Sequence, residues 1–159
     1  MRIDRASRHI AAGADAVLSA FTEPAAFRAW LPPAGMSGRL ERFDPRIGGG
    51  FRMVLTYDDP PAGGGKSGAD TDTAEARIAE LGPRRIVWLV DFPSDDPAAS
   101  GTMTMVWSLT PDDAGTLVSV EASDVPEAIA PEAHTEGLAS SLANLAAVIE
   151  HPSRGSIGP

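Results

Sequence analysis

Residues 132–150 read EAHTEGLASSLANLAAVIE, and the spacing of their apolar members decides the fold. Leu138, Leu142, Leu145 and Ile149 follow one another at steps of four, three and four, which stacks them on one face of a helix. The chain ahead of them has the other period. Between Gly101 and Leu109, the side chains of Met103, Met105, Trp107 and Leu109 recur at every second position, as on a half-buried strand. An apolar sheet face followed by one long striped helix predicts a helix laid across a curved sheet, an α+β fold. Such layering can leave a cavity between sheet and helix.

Working outward, Arg2–Ile10 reads as a first strand. Asp15 is expected to cap a short helix carrying Val17, Leu18 and Phe21. Pro24 suits the opening of a second short helix, Ala25–Leu31, with Phe27, Trp30 and Leu31, and Pro32-Pro33 ends it. Strands are predicted over Ser37–Phe43, Gly50–Tyr57, Thr73–Leu81, Arg84–Phe92, Thr102–Leu109 and Thr116–Ala122. In the second of these, Phe51, Met53, Leu55 and Tyr57 share a face. Pro111–Gly115 is read as the last connection between strands, and Asp59–Thr71 and Asp91–Ser100 as loops. Residues 1–150 are expected to form a single domain, with 151–159 a flexible C-terminal tail.

The chain has 159 residues, enough for one core that buries roughly 70% of the unfolded surface. It lacks cysteine, which excludes disulfides, thiolate catalysis and cysteine-ligated metals. With 22 Asp and Glu against 13 Lys and Arg, its net charge is −9, a field that repels a phosphate backbone, so nucleic acid is not an expected partner. No apolar run approaches the ~18 residues of a membrane span, and the N-terminus has no signal-peptide pattern, so a cytoplasmic location is expected.

Motif by motif, no complete catalytic site emerges. Gly63, Gly65 and Gly68 satisfy G-x-G-x-x-G, and Lys66-Ser67 resembles the end of a phosphate loop. Pro60 stands where that loop needs glycine, and Asp70 and Asp72 follow where a helix N-terminus would have to hold phosphate, so a hairpin loop is the better reading. As a calcium loop, Asp70 and Asp72 fail at Ala74. His9, His134 and His151 lack paired metal-ligand spacing, and no G-x-S-x-G turn is present. No metal, cofactor or catalytic residue is assigned. His134 sits near the start of the last helix, where it reads either as a helix-entry histidine or as a group facing Tyr57 or Glu136 across a cavity mouth. The Met and Trp residues of the strands read first as core packing and, as the alternative, as the wall of a pocket.

Several pieces in order resemble a known family: Val17…Phe21-Thr-Glu-Pro24…Trp30, Asp44-Pro-Arg46-Ile-Gly48-Gly49, Gly115-Thr116, and Gly137-Leu138…Leu142…Leu145. Together they resemble the SRPBCC (START-like) superfamily, in its group related to the activator of the ninety-kilodalton heat-shock-protein ATPase, over roughly residues 3 to 150. One departure is Leu138, where the family usually has tryptophan. The resemblance implies a helix-grip fold, a curved antiparallel sheet wrapped around the C-terminal helix, with two short helices after the first strand and a hydrophobic cavity inside.

On that basis the leading expectation is a protein that binds a hydrophobic small molecule, lipid-like or aromatic and polyketide-like. Trp30, Met53, Leu55, Trp88, Met103, Met105, Trp107, Leu138, Leu142 and Leu145 would line the site, and Tyr57, Arg52 or His134 would orient a polar end. The resemblance leaves two alternatives open: an interaction protein that activates a chaperone ATPase, and a polyketide cyclase or dehydratase. Exposed strand edges allow either a monomer or a homodimer.

Overall fold

The computed structural model describes residues 2–33, 35–58, 71–92, 96–97 and 100–150. Residues 59–70 of the loop read at Asp59–Thr71, with its Gly63–Gly68 run, residues 93–95 and 98–99 of the loop read at Asp91–Ser100, and the tail at 151–159 with His151 lie outside the described residues, while Thr71 itself opens a strand.

Seven strands, β1 (Ile3–Ile10), β2 (Met36–Asp44), β3 (Gly50–Tyr57), β4 (Thr71–Leu81), β5 (Arg85–Phe92), β6 (Gly101–Asp112) and β7 (Gly115–Ser123), form one curved antiparallel sheet. Their order is β1-β7-β6-β5-β4-β3-β2, so the chain's first strand pairs with its last, Ile3 opposite Ser123 and Ile10 opposite Thr116. Helices α1 (Ala14–Thr22) and α2 (Pro24–Trp30) fill the connection from β1 to β2, and α3 (Pro131–Glu150) follows β7. This is the α+β helix-grip arrangement.

Alternation decides which sheet face is covered. Along β6, Met103, Met105, Trp107 and Leu109 are buried, and along β7 so are Thr116, Val118, Val120 and Ala122. Helix α3 answers with Leu138, Leu142 and Leu145, each buried and each contributing roughly 1.5–3 kcal/mol by leaving water. Two hydrogen bonds clasp α3 to the end of α2: Ser141 Oγ donates to the Leu31 carbonyl at 2.7 Å, and Asn144 Nδ2 to the Pro32 carbonyl at 2.8 Å. No helix among the described residues is long and apolar enough to cross a membrane.

Two local expectations are corrected. The N-cap of α1 is Gly13, in extended backbone with no side-chain cap, while Asp15 lies within the first turn and adds negative charge where the helix dipole favours it. Pro111 belongs to β6, not to a five-residue connection; the β6–β7 turn is only Asp113-Ala114, because Pro111 faces Thr116 and Asp112 faces Gly115. The proline is tolerated for a geometric reason. The Leu109 amide already bonds the carbonyl of Arg84, the residue just ahead of β5, so the nitrogen of Pro111, two residues on and pointing the same way, has no neighbouring strand to serve.

Candidate functional site

The interior is built around aromatic rings from every layer. Phe21 comes from α1, Phe27 and Trp30 from α2, Phe51 from β3, Trp88 from β5 and Trp107 from β6. Ring centroids of contacting pairs lie 4.9 to 6.0 Å apart, most of them tilted or edge-to-face, the arrangement favoured by aromatic quadrupoles.

Of the residues read from sequence as lining a site, Trp30, Met53, Trp88, Met103, Met105, Trp107, Leu138, Leu142 and Leu145 share this buried cluster, and Leu55 packs against it partly buried. The structure therefore brings ten of these thirteen residues together, in one packed cluster with the rings. Tyr57 is half-buried at the end of β3. His134 is carried on α3 beside β1, and the sheet order separates β1 from β3 by four strands. Arg52 points away from the interior, forked between Glu41 at 2.8 Å and Glu75 at 2.9 Å on the outer face.

Two indoles in the cluster have different polar surroundings. Trp30 Nε1 donates to the Ala20 carbonyl at 2.7 Å. Trp107, fully buried, has no acceptor for its Nε1, a situation that costs about 1–3 kcal/mol for an unpaired donor.

A cleft of about 420 Å³ opens over one side of the cluster, lined by α2, the Pro32-Pro33 corner, Met36–Gly38 on β2 and Asn144 on α3. Its wall is thin at Gly38. A Cβ there would sit 2.6 Å from Met53 Sδ and 2.8 Å from Pro32 Cγ, so only glycine lets the Met53 thioether, itself fully buried, lie directly behind the surface. Sequence reasoning missed this opening. The available signal was two polar residues, Ser141 and Asn144, flanking the apolar stripe of α3 three positions apart.

His134 joins a separate cluster. Asp4, buried on β1, accepts from Arg2 Nε at 3.2 Å and Nη2 at 2.9 Å, and lies 2.7 Å from His134 Nδ1. The Arg2 guanidinium, and after it the His134 ring, hold the Asp4 carboxyl below the usual carboxylate range against the opposing effect of burial. Among the described residues no three His, Asp or Glu side chains are placed to hold a metal.

A family model described as "Activator of Hsp90 ATPase homolog 1-like protein" matches residues 11–150. The chain belongs to that family. Its START-like superfamily is thus the one that the motifs around Pro24, Gly48-Gly49 and Leu138 resembled. A solved protein of Chromobacterium violaceum is 30% identical, with a TM-score of 0.79 over 93% of this chain and 96% of that one. An AHSA1-like protein of Aeromonas hydrophila shares the fold at 17% identity and a TM-score of 0.73, over 96% and 94% of the two chains. A protein of Arthrobacter aurescens does so at 15% and 0.76, over 95% and 87%. Comparison with curated proteins returned no match. In this AHSA1-like chain the matched segment takes in the whole aromatic cluster and the cleft, while Asp4 and Arg2 precede it.

Proposed function

We propose that this AHSA1-like protein holds a hydrophobic small molecule, lipid-like or aromatic, between its sheet and α3. The observation that carries the reading is the cleft whose wall at Gly38 is backed by Met53. Methionine is unbranched and adaptable, so a rotamer change at Met53 opens a way from the cleft to the aromatic rings without moving a strand. The rings must part to admit a ligand, and on the cleft side α3 is joined to Leu31 and Pro32 through two hydrogen bonds that have to open. Affinity would then come from apolar burial against Trp30, Trp88, Trp107 and the methionines.

Thermal melting with tryptophan fluorescence tests this, using naphthalene derivatives and medium-chain fatty acids as probes. A ligand present at 100 times its Kd adds about 2.7 kcal/mol, which for a chain of this size raises Tm by about 5–10 °C. Unchanged melting and unchanged emission with every probe at saturation would rule the reading out.

A second reading, stimulation of a chaperone ATPase, is favoured by the family description itself. It uses the outer surface, so cluster substitutions that preserve folding leave the effect intact. Measuring the ATP turnover of a purified Hsp90-type chaperone with and without this protein decides it.

A further inference from the structure

Trp107 Nε1 is the one buried side-chain nitrogen or oxygen without a hydrogen-bond partner among the described residues. The interior offers it nothing. Around the indole stand the rings of Phe21 at 5.2 Å, Trp30 at 5.5 Å and Trp88 at 5.1 Å. The three buried polar side chains are engaged elsewhere: Asp4 with Arg2 and His134, Thr116 with the Ala12 carbonyl, and Ser141 with the Leu31 carbonyl. Neighbouring backbone on β5 and β7 is committed to the sheet through the Ile86 and Val120 pairings.

We propose that the Trp107 N–H is the polar anchor of the interior site, and that it selects neutral apolar molecules bearing one acceptor oxygen, such as aromatic ketones, esters or lactones. The inference rests on the ligand-binding reading above and gives it a substrate class. A carbonyl oxygen satisfies the one free donor and brings no donor of its own that would be left unpaired. A carboxylate is disfavoured at the same place, because none of the buried side chains around the indole is a cation and an ionised group there would be uncompensated. An acid that keeps its charge at the cleft mouth beside Arg28 leaves Trp107 as it is.

Three shape-matched probes test the proposal: 2-acetylnaphthalene, 2-ethylnaphthalene and 2-naphthoate. Affinities are measured by fluorescence, and the indole N–H resonances by proton–nitrogen correlation spectra. The ketone is expected to bind about tenfold tighter than the hydrocarbon and to move the Trp107 resonance downfield. In Trp107→Phe the ketone-to-hydrocarbon ratio is expected to fall to about one. Equal affinities in the unaltered protein overturn the proposal while leaving the ligand-binding reading standing. So does a Trp107 resonance that stays upfield with ketone bound, the mark of an N–H resting on the Phe21 or Trp30 ring face. If neither ketone nor hydrocarbon binds, this proposal falls, and the ligand-binding reading falls with it when the medium-chain fatty acids also leave melting and emission unchanged. The comparison of probes in the unaltered protein decides the matter even if the variant does not fold.

Discussion

His134 Nδ1 lies 2.7 Å from Asp4 Oδ2, and this contact ties the first turn of α3 to β1 across 130 positions of sequence. The same carboxylate is forked by Arg2, so one buried anion holds two cationic or donor groups. Replacing it by Asp4→Asn removes the charge both groups face, at a cost of about 1–3 kcal/mol near neutral pH. Because the folded carboxyl titrates below its ordinary value, its contribution is complete above the unfolded pKa, about 3.9, and is lost as pH falls through the lower folded one. Urea midpoints of the two proteins should therefore differ by a constant amount down to about pH 4 and converge below it. A difference that persists undiminished well below pH 4 would show that the Asp4 charge is not its source.

Gly38→Ala places a methyl group against Met53 Sδ and Pro32 Cγ. Overpacking of this kind costs about 1–3 kcal/mol. The share of the penalty due to the thioether should vanish on a Met53→Ala background, leaving the Pro32 contact, and a double-mutant cycle of denaturation free energies measures that coupling.

Ser141→Ala and Asn144→Ala each free one carbonyl in the α2–β2 corner. Each should cost about 1 kcal/mol in stability. Under the proposed function each should also speed ligand entry, which stopped-flow tryptophan fluorescence would record as a faster association rate.

Two glycines should respond with opposite signs. A Cβ on Gly50 would lie 2.1 Å from the Ala76 carbonyl of the paired strand β4, which cannot move without breaking the ladder, so Gly50→Ala is expected to cost more than about 3 kcal/mol. Gly137 lies within α3 with open space at its Cβ, so Gly137→Ala should stabilise by about 0.5–1 kcal/mol. Calorimetric Tm values check both.

What could be read from the chain alone was whatever repeats locally. The stripe Leu138, Leu142, Leu145 and Ile149 and the alternation from Met103 to Leu109 each depend on one element's own period, and the structure buries all of them but Ile149, which packs half-buried against the core. Turn chemistry was harder, since Pro111 sits in a strand only because β5 does not extend alongside it. The candidate site was legible as a list of apolar residues but not as a shape. Contacts such as Trp107 with Phe21, or Asn144 with Pro32, join residues 86 and 112 positions apart, and no local period encodes them. The missing acceptor at Trp107 was invisible for the same reason.

The sheet ends at β2, whose far side pairs with no other strand among the described residues. Arg39 and Arg42 stand on it, and its register with β3 slips between Leu40 and Arg42. A second copy drawing alongside would find charge and a break in the hydrogen-bonding rhythm instead of a long flat template. The molecule thus carries at its rim a guard against growth into ribbons, one that removal of both arginines would weaken first in concentrated solution.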